Sequence, residues 1–491
     1  NGTGSPSAAV RAVSARVDVE DDCPASPDGS GRCAAACSTT GPQIEVDWNF
    51  QNDGIDAIVL DDAPGSRVER SAICAPMLVN DATAIRVTGD GTGVLVRGNN
   101  VIGRASTTEN FLLRMEDCAG ASPWVVQNYG IELKNSIAGA GGPDASATIR
   151  AAGDCHPVIE ANRVIHGFGG SDPVTVVTCT SRGNVASRCV VTNNPDVSAG
   201  YMVSNTSDLQ PGANAVAVDC SFGCSRVDHN KITGIQAIPN DCGALHCSRN
   251  AVGLNLNGGS TWVSSNRILG GALGFVRATG VSMADPQGRL ENNVIFGTNE
   301  PPAPRGQTPV IELAHARVAV GLSSYSGDVD SNFIAGSDGA LTATDVLECA
   351  SDGVDLSGGS FRNNIITGGR CGLSILRLGS TAAPTTFEHN ALYNGAVTAS
   401  EYDYLATGAL LADYALAGVA SGTLLFTAAD VDTKLGGAAS FAEPCAQTSD
   451  RHLAGGSACI DAGTLAGAPQ LDIDGEARDT SPDVGPDEYR P

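Results

Sequence analysis

The chain has 491 residues, with 54 acidic and 29 basic side chains and a formal net charge of −25. This charge argues against nucleic acid or an anionic membrane as a partner, and no uninterrupted apolar run of about 18 residues predicts a membrane span. The sixteen cysteines, without a recurring C-x2-C pair, favour disulfides in an oxidising, extracellular compartment over metal sites.

Two segments precede the repetitive part of the chain. Residues 1–43 are rich in Gly, Ala, Ser and Asp and contain three cysteines, which is typical of an N-terminal extension or linker pinned by disulfides. Residues 44–83 include a strand-like run at 55–60 and are assigned as an N-terminal cap, because the open end of a solenoid needs a cover. The chain begins Asn-Gly-Thr, which fits a processed, secreted protein.

A short pattern around one asparagine recurs through residues 84–397. The third residue before this asparagine is apolar in nine of nine copies, and the second residue after it is apolar in eight of nine. The copies lie 26 to 39 residues apart, after a first interval of 63. A constant local pattern of period two with variable spacing predicts a solenoid of short strands with inserted loops. The asparagines are Asn99, Asn162, Asn194, Asn230, Asn266, Asn293, Asn332, Asn364 and Asn390.

The recurring asparagine predicts an internal ladder. Asn adopts the left-handed backbone of a sharp corner, and its amide can bond to the amides of neighbouring coils at the strand spacing of about 4.8 Å. Asn135 is interpreted as a degenerate copy, because Glu132 takes the apolar position. The pattern resembles the right-handed parallel β-helix family. The resemblance implies an all-β, single-stranded, right-handed parallel β-helix with an asparagine ladder; an Asn-rich antiparallel β-sandwich is the alternative.

Residues 398–491 are expected to form degraded last coils and a C-terminal cap or tail. Segments at 449–463, 472–478 and 483–489 resemble the ending of many secreted bacterial β-helix proteins, a group that contains enzymes and non-enzymes. The resemblance implies an exported protein. Asp472 and Asp474 also resemble the start of a calcium loop, although its twelfth-position Glu is missing. Calcium held by Asp472 and Asp474 is the metal hypothesis, and a structural turn is the alternative.

Cysteine spacing predicts pairing in three regions, although connectivity does not follow from spacing alone. Two cysteines 22 residues apart lie about one coil apart, within the reach of a bridge. The candidates are Cys349 with Cys371, Cys445 with Cys459, and Cys220, Cys224, Cys242 and Cys247 among themselves.

The outward residues of the first strand of each coil would line the usual substrate groove of β-helix enzymes. They are small and polar, without a base matched to an acid: Asp219, Asn255, Ser282, Ser323, Asp355 and Ser374. Lys231 and Arg267 are predicted to stack on an outer face, and a salt-bridged surface is favoured there over a uronate site.

A second outward row lies two residues before each asparagine and is acidic in five of nine copies. A column of carboxylates could bind Ca²⁺; a solvated face is the favoured alternative. The histidines do not show the spacing of metal ligands: His166, His229, His389 and His452.

These observations favour a secreted, non-catalytic β-helix with a cell-surface, adhesive or filament-forming role. Its expected partner is another copy of the chain, a cell surface or a polysaccharide, and calcium is the sole cofactor considered. The alternative is a polysaccharide lyase or glycoside hydrolase acting on an acidic polysaccharide, or a carbohydrate-binding protein without catalysis. The missing polygalacturonase and hydrolase motifs, and an aromatic content of 4%, favour the non-catalytic role.

Overall fold

The structure is a computed structural model, and it divides the chain into two compact units, Asn1–Ser248 and Arg249–Pro491. It describes residues 10–20, 44–45, 58–78, 83–105, 111–135, 146–169, 174–182, 185–201, 214–234, 250–271, 277–298, 318–337, 350–356, 360–367, 374–378, 386–393, 404–406, 424–426, 445 and 451–490. The regular elements of these residues are strands. A search of the same residues finds no helix that is long and apolar enough to cross a membrane.

The described strands of the first unit are β1 (Val10–Val13), β2 (Asp18–Glu20), β3 (Ile44–Glu45), β4 (Ile58–Asp61), β5 (Arg67–Glu69), β6 (Ala72–Leu78), β7 (Thr83–Thr88), β8 (Leu95–Arg97), β9 (Asn100–Ala105), β10 (Phe111–Glu116), β11 (Trp124–Val126), β12 (Gly130–Asn135), β13 (Ser146–Ala152), β14 (Val158–Glu160), β15 (Ile165–Gly169), β16 (Val174–Arg182), β17 (Val185–Ala186), β18 (Cys189–Thr192), β19 (Val197–Tyr201), β20 (Asn214–Ser221), β21 (Cys224–Asp228) and β22 (Lys231–Thr233).

The described strands of the second unit are β23 (Asn250–Asn257), β24 (Trp262–Ser264), β25 (Arg267–Gly271), β26 (Arg277–Glu291), β27 (Val294–Thr298), β28 (Val318–Asp330), β29 (Phe333–Ser337), β30 (Ala350–Leu356), β31 (Ser360–Arg362), β32 (Ile365–Thr367), β33 (Ser374–Leu378), β34 (Thr386–Glu388), β35 (Ala391–Tyr393), β36 (Tyr404–Ala406) and β37 (Leu424–Phe426).

Each unit is a right-handed parallel β-helix, so the predicted fold class is confirmed. A coil contributes a first, a second and a third strand, and each pairs in parallel with its equivalent in the next coil. In the first unit β7 pairs with β4 and β10, β8 with β5 and β11, and β9 with β6 and β12. In the second unit β26 and β28 are long strands, and each of them takes the place of both the first and the second strand of its coil.

The core is formed by every second residue of the first strands, because successive side chains of a strand point to opposite faces. Ile85, Leu113 and Ile149 occupy one register position of adjacent strands and are buried. Leu254, Val281 and Leu322 do the same in the second unit. Because a single coil has no second layer to cover its apolar side, this burial arises only when coils stack.

In both units, a hydrogen-bonded series of buried asparagines runs along the stack, with one asparagine at the second corner of each coil that it crosses, between its second and third strands. In the first unit Asn162 donates its amide to Asn194 Oδ1 at 3.1 Å, and Asn194 donates to Asn230 at 2.8 Å. In the second unit each asparagine donates in the same way to the next one, at 2.9–3.0 Å, in the order Asn266, Asn293, Asn332, Asn364 and Asn390. Each described asparagine of the series is at most 3 % exposed.

The left-handed residue of this corner is the one before the asparagine, which differs from the sequence-based explanation. Ala161, Ser265 and Asn292 have φ values of 52° to 54°, whereas the asparagines of the series do not have positive φ. The asparagine is therefore required at its position for its carboxamide. Its Oδ1 accepts a backbone N–H and an amide N–H of the preceding coil, as Asn293 does from Asn266.

The interpretation of Asn135 as a degenerate copy is wrong, because Asn128 belongs to the series in that coil. Asn128 accepts the amide of Asn99 at 3.0 Å and donates to Asn162 at 2.7 Å. The register of β12 places Ile131 beside Val101, one residue later than the pattern expects. The extra corner residue, Tyr129, moves the following apolar position out of the pattern, so the sequence comparison missed this copy.

The described coils begin earlier than the sequence pattern suggested. β1 and β2 pair in parallel with β4 and β5, within the segment 1–43 assigned to an extension. β4 and β5 also pair with β7 and β8, so residues 44–83, assigned to a cap, contain coil strands. The corner asparagine is replaced here by buried Ser71, whose N–H donates to Asn99 Oδ1 at 2.9 Å.

The described C-terminal tail, residues 451–490, packs on the outer side of the coils of the second unit. Leu453 and Val484 join a buried cluster with Phe296, Phe333 and Ile365 of the third strands. These contacts lie beside the stack and involve the part of the chain that was expected to form degraded last coils and a cap or tail. They explain why outward residues of β27, β29 and β32 are apolar: the tail covers them.

Candidate functional site

The first strands of the first unit carry an arginine column, formed by Arg86, Arg114 and Arg150. The three residues occupy one register position of β7, β10 and β13. Adjacent strands lie about 4.8 Å apart, so three cations follow one another along the outer face of this unit. The same row continues to Thr178 and to the predicted groove residue Asp219.

A single carboxylate joins two members of the column. Glu116 lies 3.0 Å from Arg114 Nη2 and 3.1 Å from Arg150 Nε, and its side chain is 7 % exposed. The Arg114 and Arg150 side chains are 14 % and 32 % exposed. Both guanidinium groups also lie over the buried ring of Phe111, at 5.4 and 4.7 Å from its centroid. Because cations stack favourably on aromatic faces, the ring and Glu116 fix the direction of these side chains.

The corresponding row in the second unit contains most of the predicted groove residues. Asn255, Ser282, Ser323 and Asp355 share one register position of β23, β26, β28 and β30. Ser374 was assigned to this row incorrectly. It pairs with Asp352, and Arg377 takes the position beside Asp355. The spacing misled because β33 begins two residues later in the register than β30 does.

The second outward row has the predicted register, and it is solvated only in part, because Arg97 is exposed whereas three of its acids are buried. Asp228, Glu291 and Asp330 are 1 %, 6 % and 3 % exposed. Two basic side chains lie beside Asp228: Arg226 at 2.6 Å and the His229 ring at 2.8 Å. Further along the row Arg289 lies 2.5 Å from Glu291 and Arg362 lies 2.8 Å from Glu388, so three of the acids considered for calcium already have a basic side chain beside them.

Asp330 is the carboxylate of this row that burial perturbs most. Burial raises the pKa of Asp330 to about 6, against hydrogen bonds from Ser331 and Asn363 and the charges of Arg289 and Arg362 that lower it. Its Oδ1 accepts from Ser331 Oγ at 2.9 Å and Asn363 Nδ2 at 3.0 Å. Because Asn363 also donates to the Thr464 carbonyl of the tail, the Asp330 carboxylate lies where the coils meet the tail.

The remaining basic and histidine candidates are not members of the arginine column. Lys231 and Arg267 are exposed residues of different units. His166 contacts Asp196 at 3.0 Å; although burial acts against it, the hydrogen bond and charge of His166 lower the pKa of Asp196. His389 lies 3.1 Å from the Ala462 carbonyl and so contacts the tail.

Asp472 and Asp474 have different partners in the tail. Asp472 is 2 % exposed, and its Oδ1 accepts the N–H groups of Asp474 at 3.0 Å and Glu476 at 2.7 Å. Its Oδ2 accepts Glu488 N–H at 3.2 Å. Both oxygens thus hold a backbone turn, which is the structural alternative to calcium. Asp474 points elsewhere, with its carboxylate 2.9 Å from His452 Nε2.

The disulfides agree in part with the expected pairs. Cys220 is bonded to Cys224 and Cys445 to Cys459. Two further bridges, which spacing did not suggest, join the stacked turns at Cys118–Cys155 and the two sides of one coil at Cys179–Cys189. The candidates Cys242, Cys247, Cys349 and Cys371 lie outside the described residues.

Comparison with known proteins adds no family or activity to this geometry. No protein-family model matches the chain, and no curated protein matches it significantly.

Proposed function

We propose that the protein is an extracellular β-helix that acts without catalysis, as a rigid scaffold attached to an acidic surface polymer. The observation that carries this proposal is the arginine column. Arg86, Arg114 and Arg150 repeat at the strand spacing, on a face whose direction is fixed by stacked strands. A polyanion lying along the face would meet these cations in series.

Local charge supports an anionic ligand in spite of the net charge of the chain. The three arginines follow one another on adjacent strands, and the outward acids Asp61, Glu116 and Asp219 are spread over β4, β10 and β20, so the positive charge is concentrated only along the column itself. A clustered positive field attracts anions locally even when the whole protein is negative. Arginine is also suited to this task, because its planar fork can bind carboxylate or sulfate groups with two parallel hydrogen bonds.

The disulfides support the extracellular setting. Cys118–Cys155, Cys179–Cys189 and Cys220–Cys224 lie within the first unit, and Cys445–Cys459 lies in the second. Such bonds persist in oxidising compartments and are rare in a reducing cytosol. A stapled, stacked framework suits a protein whose task is to hold its shape at a surface.

The proposal can be tested by binding of the purified protein to immobilised polygalacturonate and alginate. Arg86→Gln and Arg150→Gln should each weaken binding about fivefold, the upper value for a partly exposed ion pair, and added salt should weaken it further. Arg188→Gln, at an exposed position of the same unit, is the matched control and should bind as the wild type does.

Three results would contradict this function. Unchanged binding by both column variants would show that the ion pairs with Glu116 serve stability alone. Equal loss in the Arg188→Gln control would show that the attraction is not localised to the column. Release of unsaturated or reducing sugars from either polymer by the wild type would instead establish the enzyme alternative.

A further inference from the structure

Three side chains of the C-terminal tail converge on one point that the function above does not use. One ligand atom each from His452, Asp474 and Asp487 lie within 4.8 Å of one another. His452 Nε2 and Asp474 Oδ2 are 2.9 Å apart. Spacing in the sequence did not reveal this group, because its members stand 22 and 13 residues apart in three separate segments of the tail.

The backbone holds each member of the group in place. Asp487 is 6 % exposed, and its Oδ2 accepts Leu453 N–H at 2.6 Å, which ties the third segment of the tail to the first. Leu453 itself is buried in the cluster against the coils. Asp474 follows Asp472, whose carboxylate fixes the turn through two backbone N–H groups. The donors are therefore positioned by surroundings that do not depend on a bound ion.

The group is closed on one side and open on the other. Asp487 forms the buried side, whereas the side chains of His452 and Asp474 are 37 % and 52 % exposed. The carboxylates of Asp474 and Asp487 lie close together in this group. A divalent cation would relieve this concentration of negative charge, and water could complete its coordination from the open side.

The donor set selects among cations. Imidazole nitrogen suits borderline transition metals such as Zn²⁺, whereas Ca²⁺ takes six to eight oxygen ligands. One nitrogen with two carboxylates and open positions matches the three-protein-ligand arrangement found around zinc when water occupies the remaining site. This chemistry differs from the calcium hypothesis for Asp472 and Asp474, since Asp472 is committed to the backbone.

We propose that His452, Asp474 and Asp487 form a binding site for a divalent transition-metal ion, with Zn²⁺ as the expected occupant. The ion joins the three segments of the tail, because each segment supplies one ligand. The site lies within the second unit and does not depend on the arginine column.

The test uses the full chain with its disulfides intact, stripped of metal and titrated with Zn²⁺ in a calorimeter. The wild type should bind one equivalent at this site, and bound Zn²⁺ should raise its melting temperature. Loss of outer-shell partners alone weakens metal binding about 10–100-fold, so His452→Ala and Asp487→Asn should each weaken Zn²⁺ binding by more than about 100-fold. Asn at 487 retains an acceptor for Leu453 N–H.

Two further variants keep the test decisive. Asp474→Asn changes an exposed carboxylate, so it should fold as the wild type does and still lose Zn²⁺ affinity. Asp461→Asn removes the same charge from an exposed position of the tail outside the group, and it should bind Zn²⁺ unchanged. Unchanged affinity in Asp474→Asn, equal loss in Asp461→Asn, or displacement of Zn²⁺ by an equal concentration of Ca²⁺ would overturn the proposal.

Discussion

Replacing Asn293 by Leu removes a carboxamide that makes five hydrogen bonds in the second unit. Its Oδ1 accepts the backbone N–H and the side-chain amide of Asn266, both at 3.0 Å. Its Nδ2 donates to Asn332 Oδ1 and to the carbonyls of Val263 and Glu291, all at 3.0 Å. Because the site is fully buried, water cannot replace these partners without opening the stack.

The expected cost follows from the groups left behind. The Asn266 N–H loses its acceptor, and its amide loses the bond to position 293 while it keeps the bond to the Ser264 carbonyl. Each buried group without a partner costs about 1–3 kcal/mol, and burial of the Leu side chain offsets about 1–2 kcal/mol. We expect Asn293→Leu to lower the free energy of unfolding by about 2–4 kcal/mol.

The measurement is urea denaturation of the oxidised protein, followed by circular dichroism, with Asn257→Leu as the control. Asn257 is an exposed residue at the end of β23, so the same substitution there should change stability by less than about 0.5 kcal/mol. Equal stability of the Asn293→Leu variant and the wild type would refute the view that the asparagine series holds the coils together.

Three further predictions concern a disulfide, a carboxylate and the tail. Changing both Cys118 and Cys155 to Ala should lower the free energy of unfolding by about 3–4 kcal/mol, since the bridge closes a 37-residue separation. Equal stability of the double variant and the oxidised wild type would contradict this. Asp330 should make stability fall as pH rises from 4 to 6, because its pKa is 3.8 when unfolded and about 6 when folded, so the folded state binds the proton more tightly. Asp330 should contribute on the order of 2–3 kcal/mol to this loss, measured by denaturation at the two pH values. Asp330→Asn should therefore show a smaller loss but retain the part that comes from Asp483, whose pKa burial also raises to about 6; an identical pH profile of that variant would exclude Asp330 as a source. Asn363→Gly keeps the left-handed backbone but removes the bonds to Thr464 at 2.7 and 2.8 Å, so hydrogen exchange in the tail should rise roughly tenfold, and unchanged exchange would show that Asn363 does not hold the tail.

The sequence predicted the β-helix because its pattern reflects local geometry. An apolar residue three positions before each asparagine, such as Val263 before Asn266, must face the core whenever the coil closes at that corner. The pattern failed where local geometry changed. Tyr129 lengthened one corner and hid Asn128, and Ser71 replaced the asparagine in an earlier coil.

The candidate sites were harder to predict because they depend on register and on distant contacts. Arg86, Arg114 and Arg150 share a row only once the insertions between coils are removed by strand pairing. The group around His452 depends on how the tail folds on itself, which spacing does not contain. The turn at Asp472 was within reach of the sequence, because a carboxylate can bind the N–H groups that follow it in a tight loop.

The side-on tail has a consequence for how many coils the second unit can contain. It meets the coil of β26 at Arg289 and Asn292, the coil of β31 at Asn363 and the coil of β34 at His389. The tail therefore contacts coils that must lie at fixed distances from one another along the stack. Gain or loss of one coil between Asn292 and Asn363 would shift these anchor points by one strand spacing, about 4.8 Å. Duplication of coils, the ordinary route by which repeat proteins change length, is thus restricted beneath the tail.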